Sequence, residues 1–188
     1  MRFLKKDAKT IAGTTVLSTL VIVFDYSMKY SGLKIPFPWL PYLKFDFTGV
    51  PIVLSWMLFG LTSGTITSTV ALLGILIRSG DPVGASMKAL AELSTVLGMA
   101  LTTKLLKKPA KFTIIASFIS GLFMRCTTMF FANLTVLPFY YKIPMPATIA
   151  LTPLIIAFNV IQGLISMFLG FSLYNIIIQR TALNPLNK

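Results

Sequence analysis

Five polar side chains lie inside stretches that are otherwise apolar: Glu92, Arg125, Asn133, Asn159 and Gln162. Ionisable and amide groups are costly in hydrocarbon, so such positions point to chemistry by default. One Glu facing one Arg can form an ion pair, but it does not supply the two carboxylates of general acid–base catalysis. Amides carry donors and an acceptor together, which suits the edge of a heterocycle or a set of hydroxyls. Asn159 and Gln162 stand three apart in IIAFNVIQG, on one helical face, and Gly163 beside them permits close approach. The plainer role is interhelical hydrogen bonding, worth about 1 kcal/mol each. Three amides near one depth, beside a Glu and an Arg, favour a small-molecule pocket.

The rest of the chain sets the solvent for these groups. Its 188 residues are 55% hydrophobic and 12% charged, with mean hydropathy +0.82. A soluble domain carries roughly 25% charge, so this chain cannot cover a water-facing exterior and reads as an integral membrane protein. The net charge of +12 comes from basic residues at the ends of apolar runs. Topology and anionic lipid headgroups account for it, and no nucleic acid is expected as a partner. There is no histidine, and one cysteine, Cys126, so no intramolecular disulfide is possible. No metal site, catalytic residue or cofactor is expected. The chain also lacks G-x-x-x-x-G-K-[ST], so any ATP hydrolysis it depends on happens elsewhere.

Spanning about 30 Å of hydrocarbon takes roughly 20 apolar residues. The runs predict an all-α membrane protein with one domain over 1–188 and six transmembrane helices. Their spans fall at about 9–27, 48–61, 63–79, 85–105, 111–136 and 149–178. The second is short, Gly60 and Gly64 mark a tight turn before the third, and the last invites tilt or extension beyond the bilayer. MRFLKK followed by an apolar run imitates a signal peptide, but no A-x-A-like exit follows, so it reads as a retained first span.

Six spans put both termini on one side. That side holds Arg2, Lys5, Lys6, Lys9, Lys104, Lys107, Lys108, Lys111, Arg180 and Lys188. The other holds Lys29, Lys34, Lys44, Arg78, Lys88 and Lys142. The heavier basic side, with both termini, is cytoplasmic. In an antiparallel pair of helices turning near 107–108, Glu92 and Arg125 fall at nearly equal depth, which predicts an intramembrane ion pair.

The outer connections, about 28–47 and 137–148, are rich in proline and aromatics (PFPWLPY, LPFYYKIPMP). Proline stiffens such segments, and they read as a lid over a pocket or as an interfacial aromatic belt. PYLKFDFTGVP leads from this region into the second helix. Thr48 is placed to cap that helix, Pro51 falls in its first turn, and Asp46 lies near its positive end. Leu43 and Lys44 can then turn toward a ligand. In the first span, Ala8, Ala12, Thr15 and Thr19 form a stripe of small residues on which another helix could dock.

Three stretches together resemble one family: LKFDFTGVP before the second helix, RCTTMFFANLTVLP in the fifth, and FNVIQG in the sixth. In that order and spacing, over nearly the whole chain, they look like the substrate-binding S component of an energy-coupling factor (ECF) transporter. The similarity is greatest to the riboflavin-specific type. The resemblance implies capture of riboflavin from outside, with the loop after the first helix closing over it. It also implies release together with a membrane coupling subunit and two ATPases, and no enzymatic activity. Asn133, Asn159 and Gln162 would address the isoalloxazine ring, Leu43, Lys44, Phe45 and Asp46 would lie over the ligand, and Ala8 and Ala12 would dock the coupling subunit. Glu92 and Arg125 complete the candidate site. Two departures stand out: Gln162 occupies the place of a lysine in FNxxKG, and MKALAELST lacks an expected asparagine. An S component for another vitamin, a self-sufficient carrier and a membrane enzyme remain alternatives.

Overall fold

The computed structural model describes residues 8–106 and 110–180, without the side chains of 110 and 111. The opening MRFLKK and several of the basic residues that weigh on orientation (Arg2, Lys5, Lys6, Lys107, Lys108, Lys188) lie outside the described residues. Six helices run in sequence: α1 Ala8–Tyr30, α2 Gly49–Phe59, α3 Leu61–Ser79, α4 Pro82–Leu105, α5 Ala110–Phe139 and α6 Met145–Arg180. Four are long and apolar enough to cross a membrane: α1, α3, the Phe112–Phe139 stretch of α5, and α6. The 11 residues of α2 reach only about 16 Å. α4 has the length, with Lys88, Glu92 and Lys104 lowering its apolarity.

The expectation of a purely helical chain needs one correction. Between α1 and α2 lies an antiparallel hairpin, β1 Ile35–Phe37 and β2 Leu40–Phe45, paired Ile35 to Phe45 and Pro36 to Lys44. Its turn is Pro38–Trp39. The prolines that made this segment read as a stiff loop are compatible with strands because both strands are edges, where a missing N–H breaks no ladder. The second long connection also shrinks, since α5 and α6 extend into it and leave only 140–144 between them.

The turns follow local chemistry. Gly60, at φ 85°, is the whole connection between α2 and α3. Gly80, at φ 65°, ends α3 in the left-handed region, and its N–H donates to Leu76 O. Asp81 then caps α4, its Oδ1 accepting from the N–H groups of Val83 and Gly84 at 3.0 Å, with Pro82 in the first turn. Thr48 does not cap α2. Its backbone is already helical (φ −63°, ψ −25°) and its side chain makes no capping bond. Asp46 takes over, Oδ1 accepting from Thr48 N at 3.1 Å and from the Thr48 hydroxyl.

Helices associate here through small and hydroxyl-bearing residues, as expected where lipid removes the hydrophobic drive. Thr14 Oγ1 donates to Ser63 Oγ (2.9 Å), Ser18 to Thr67 (3.3 Å) and Thr67 to Ser55 (2.9 Å), linking α1, α3 and α2. Gly98 and Gly121 bring α4 and α5 together: a Cβ on Gly98 would meet Ser120 O, and one on Gly121 would crowd Met99. One apolar core, including Val21, Ile52, Val96, Met99 and Met167, fills the bundle. A second, around Phe37, Leu40, Leu137, Ile155 and Phe158, lies beneath the hairpin.

Candidate functional site

Beneath the hairpin, α4, α5 and α6 enclose a cavity of about 560 Å³. That is within the size range of small-molecule sites. Its walls are mainly apolar, with Met87, Met129, Val136, Leu137, Ile155 and Phe158. Leu43, Lys44, Glu92, Arg125, Asn133, Asn159 and Gln162 all line it, so seven of the nine expected site residues meet around one space. Phe45 and Asp46 do not line it. Phe45 stacks on Phe158 (4.9 Å between centroids), and the Asp46 carboxylate turns toward the helix ends.

The floor is polar. Arg125 Nη1 lies 3.1 Å from Glu92 Oε1, the ion pair expected from their equal depth, and both side chains are almost wholly buried. The guanidinium also donates through Nε to Asn159 Oδ1 (3.2 Å) and through Nη1 to Thr95 Oγ1 (3.2 Å). Among the described residues Glu92 accepts no well-aligned hydrogen bond. Its carboxylate stands where a Cβ on Gly49 would sit, against the first turn of α2, and a helix N-terminus favours negative charge. Gly49 is required there by contact rather than by its backbone angles.

The three amides differ in what they have left to offer. Asn159 uses its Nδ2 on Ile155 O (2.9 Å) and its oxygen on Arg125. Gln162 faces the main chain of Asp46: Oε1 accepts from Asp46 N (3.2 Å) and Nε2 donates to Asp46 O (2.8 Å). Asn133 donates to Met129 O (2.7 Å), and among the described residues no bond to its Oδ1 competes with a ligand.

A second polar cluster, which the sequence reading missed, holds the base of the hairpin. Asp46 is bridged to Lys88 of α4 and to Lys34 before β1 (3.5 Å). Lys34 also pairs with Asp25 of α1, and Asp25 in turn with Arg78 of α3. Asp25 is 1% exposed. Its signal was available: it is an ionisable residue within the predicted first span. Burial acts to raise the Asp46 pKa, but the charges of Lys88 and Lys34 and hydrogen bonds from Lys88 and Thr48 outweigh it, lowering it to about 2. At the cavity mouth, burial and the neighbouring Tyr141 push the Tyr42 phenol up, which keeps it a protonated donor.

The small-residue stripe of α1 is open. Ala8, Ala12, Thr15 and Thr19 are all exposed, while Thr14, Leu17, Ser18 and Val21 on the other side pack inward.

Comparison with known proteins places these features in context. The family described as "ECF transporter, substrate-specific component" matches residues 9–174. The riboflavin transporter RibU of Staphylococcus aureus (strain TCH60) is 31% identical over 174 residues, covering 88% of each chain. A solved structure described as the S component of a bacterial ECF transporter superposes with a TM-score of 0.70 at 28% identity. The match covers 93% of this chain and 98% of that one.

Proposed function

This chain belongs to the substrate-specific components of ECF transporters, a transporter rather than an enzyme family, and on that footing we propose that it captures riboflavin. The observation that carries the proposal is the cavity: apolar and aromatic walls, a polar floor, and a hairpin across its opening. The similarity to a riboflavin transporter supports that choice of ligand. Of the basic groups that line the cavity, Arg125 is paired with Glu92 and Lys88 is held by Asp46 just outside it, so two of the three are already engaged, which favours an uncharged flavin over a phosphorylated one.

In this reading the ring lies between Leu43 of the hairpin and the Met129–Phe158 wall, and Asn133 Oδ1 accepts from its polar edge. Six membrane spans, α2 and α4 included, put both termini in the cytoplasm of a prokaryote and the hairpin outside. The exposed Ala8–Ala12 stripe then faces a membrane coupling subunit, which with two ATPases supplies the energy of uptake. The test is a titration of the purified protein with riboflavin. Saturable quenching of flavin fluorescence at or below micromolar concentration supports the proposal, and no quenching refutes it.

A further inference from the structure

We infer that Gln162 is a positioning residue that clamps the hairpin shut, and that it sets the rate at which ligand enters and leaves the cavity. The inference rests on the cavity being the ligand site. Gln162 is buried to 2% and belongs to the bundle, in the middle of α6. Asp46 is the residue at which β2 ends and the chain turns into α2. The two are 116 positions apart, yet the side-chain amide meets both the N–H and the C=O of Asp46, as a neighbouring strand would.

Among the described residues, the other backbone link at this junction is Phe47 N to Met28 Sδ of α1 (3.3 Å), a single bond to a weak sulfur acceptor. The remaining bonds at the base belong to side chains: Lys34 and Lys88 on the Asp46 carboxylate, and Asp25 on Lys34. Those ion pairs anchor both ends of the hairpin, since Lys34 precedes β1 and Asp46 follows β2. They hold side chains on long flexible stems, which tolerate movement. The Gln162 amide fixes the main chain itself, and so the height of Leu43 and Lys44 over the cavity. With both amide atoms engaged, Gln162 has one remaining N–H, whose neighbour is Ser166 Oγ at 3.5 Å. Its amide is therefore spent on closure rather than on reading a ligand's edge.

Two groups of this chain lose their partners when Gln162 is replaced, Asp46 N and Asp46 O. A buried main-chain pair left unsatisfied recovers its bonds by moving to water, and here that means lifting the hairpin. A substitution should thus speed opening, which accelerates entry and exit together and leaves the ratio of the two nearly unchanged. A residue that reads the ligand behaves differently: its loss speeds exit alone.

The experiment is hydrogen exchange of the 40–48 segment in ligand-free protein, with riboflavin association and dissociation rates measured alongside. Gln162→Met removes both bonds at similar volume. Gln162→Glu keeps the acceptor and loses the donor, and serves if the first variant does not fold. Ser68→Ala, which removes a buried bond from α3 to Ala89 O of α4 and leaves both Asp46 main-chain bonds in place, reports general loosening. The inference predicts exchange of 40–48 at least tenfold faster in Gln162→Met, the scale of two ordinary hydrogen bonds, severalfold faster in Gln162→Glu, the scale of one, and unchanged in Ser68→Ala. It also predicts that both rates rise, with Kd altered by less than about threefold, a shift smaller than one such bond. Unchanged exchange in both Gln162 variants overturns it, as does a faster exit with an unaltered rate of entry. If the unmodified protein binds no riboflavin, the ligand proposal falls, while the exchange result still decides the clamp.

Discussion

Glu92 and Arg125 join α4 to α5 within the bundle, whereas Asp25 and Asp46 gather Lys34, Arg78 and Lys88 where the hairpin meets the helix ends. In the first cluster every partner stands on a helix, and Asn159 and Thr95 lock the guanidinium from two further directions. In the second, Lys34 and Asp46 flank a two-stranded hairpin that is otherwise held by the Gln162 bonds to the Asp46 main chain and by apolar packing of Phe37, Leu40 and Phe45. Buried ions placed between rigid elements secure the bundle. Placed at the root of a small hairpin, they secure its closed position. Damage to the two should therefore register in different measurements.

The largest effect is expected from the first cluster. Arg125→Leu leaves Glu92 buried without its counter-charge, and thermal unfolding in detergent should show a loss of about 3–5 kcal/mol. Replacing both, Glu92→Met with Arg125→Met, should recover most of that loss, because no unpaired charge remains. A double variant as unstable as the single would break the distinction between the clusters.

Asp46→Asn should cost less, on the order of 2 kcal/mol at neutral pH, following from the carboxyl's shift to about 2. A carboxyl depressed in the folded state contributes its full stability above its unfolded value near 4, and loses it as pH falls toward 2. Melting temperature of the unmodified protein should thus drop between about pH 4 and pH 2. In Asp46→Asn that part of the drop should be missing, and an identical pH profile in both would contradict the assignment.

Asn133→Ala should lower riboflavin affinity by roughly tenfold, one hydrogen bond's worth, with the melting temperature unchanged. Loss of stability without loss of affinity would move Asn133 from the ligand to the scaffold. The smallest change is expected at Lys44→Ala, on the exposed side of β2, within about 0.5 kcal/mol by either measurement.

How far these clusters could be read from sequence depends on the range of their contacts. Glu92 and Arg125 were legible because two helices joined by a short connection fix relative depth. The turn at Gly60 follows an equally local rule, whereas the Thr14 and Ser18 contacts of α1 with α3 went unread beside the exposed Ala8–Thr19 stripe. The Asp46 network was not legible, since Asp25, Lys34, Arg78 and Lys88 come from four separate segments and only the fold brings them together. The same range hid the bonds of Gln162 to the main chain of Asp46, 116 positions away, which its helical face alone does not announce. Thr48 misled for a different reason. A Ser or Thr before a helix is a sound capping signal, but the Thr48 hydroxyl is turned to Asp46 Oδ1, and the Val50 N–H it could have capped donates to Phe47 O.

The central claim is that the cavity under the hairpin holds one riboflavin. Purified protein equilibrated with excess riboflavin and then desalted tests it directly, through the visible absorbance of bound flavin per protein chain. The account predicts close to one flavin per chain, and a sharply lower value for Asn133→Ala of equal melting temperature. Flavin-free protein after desalting, with no quenching in the titration before it, would contradict the account.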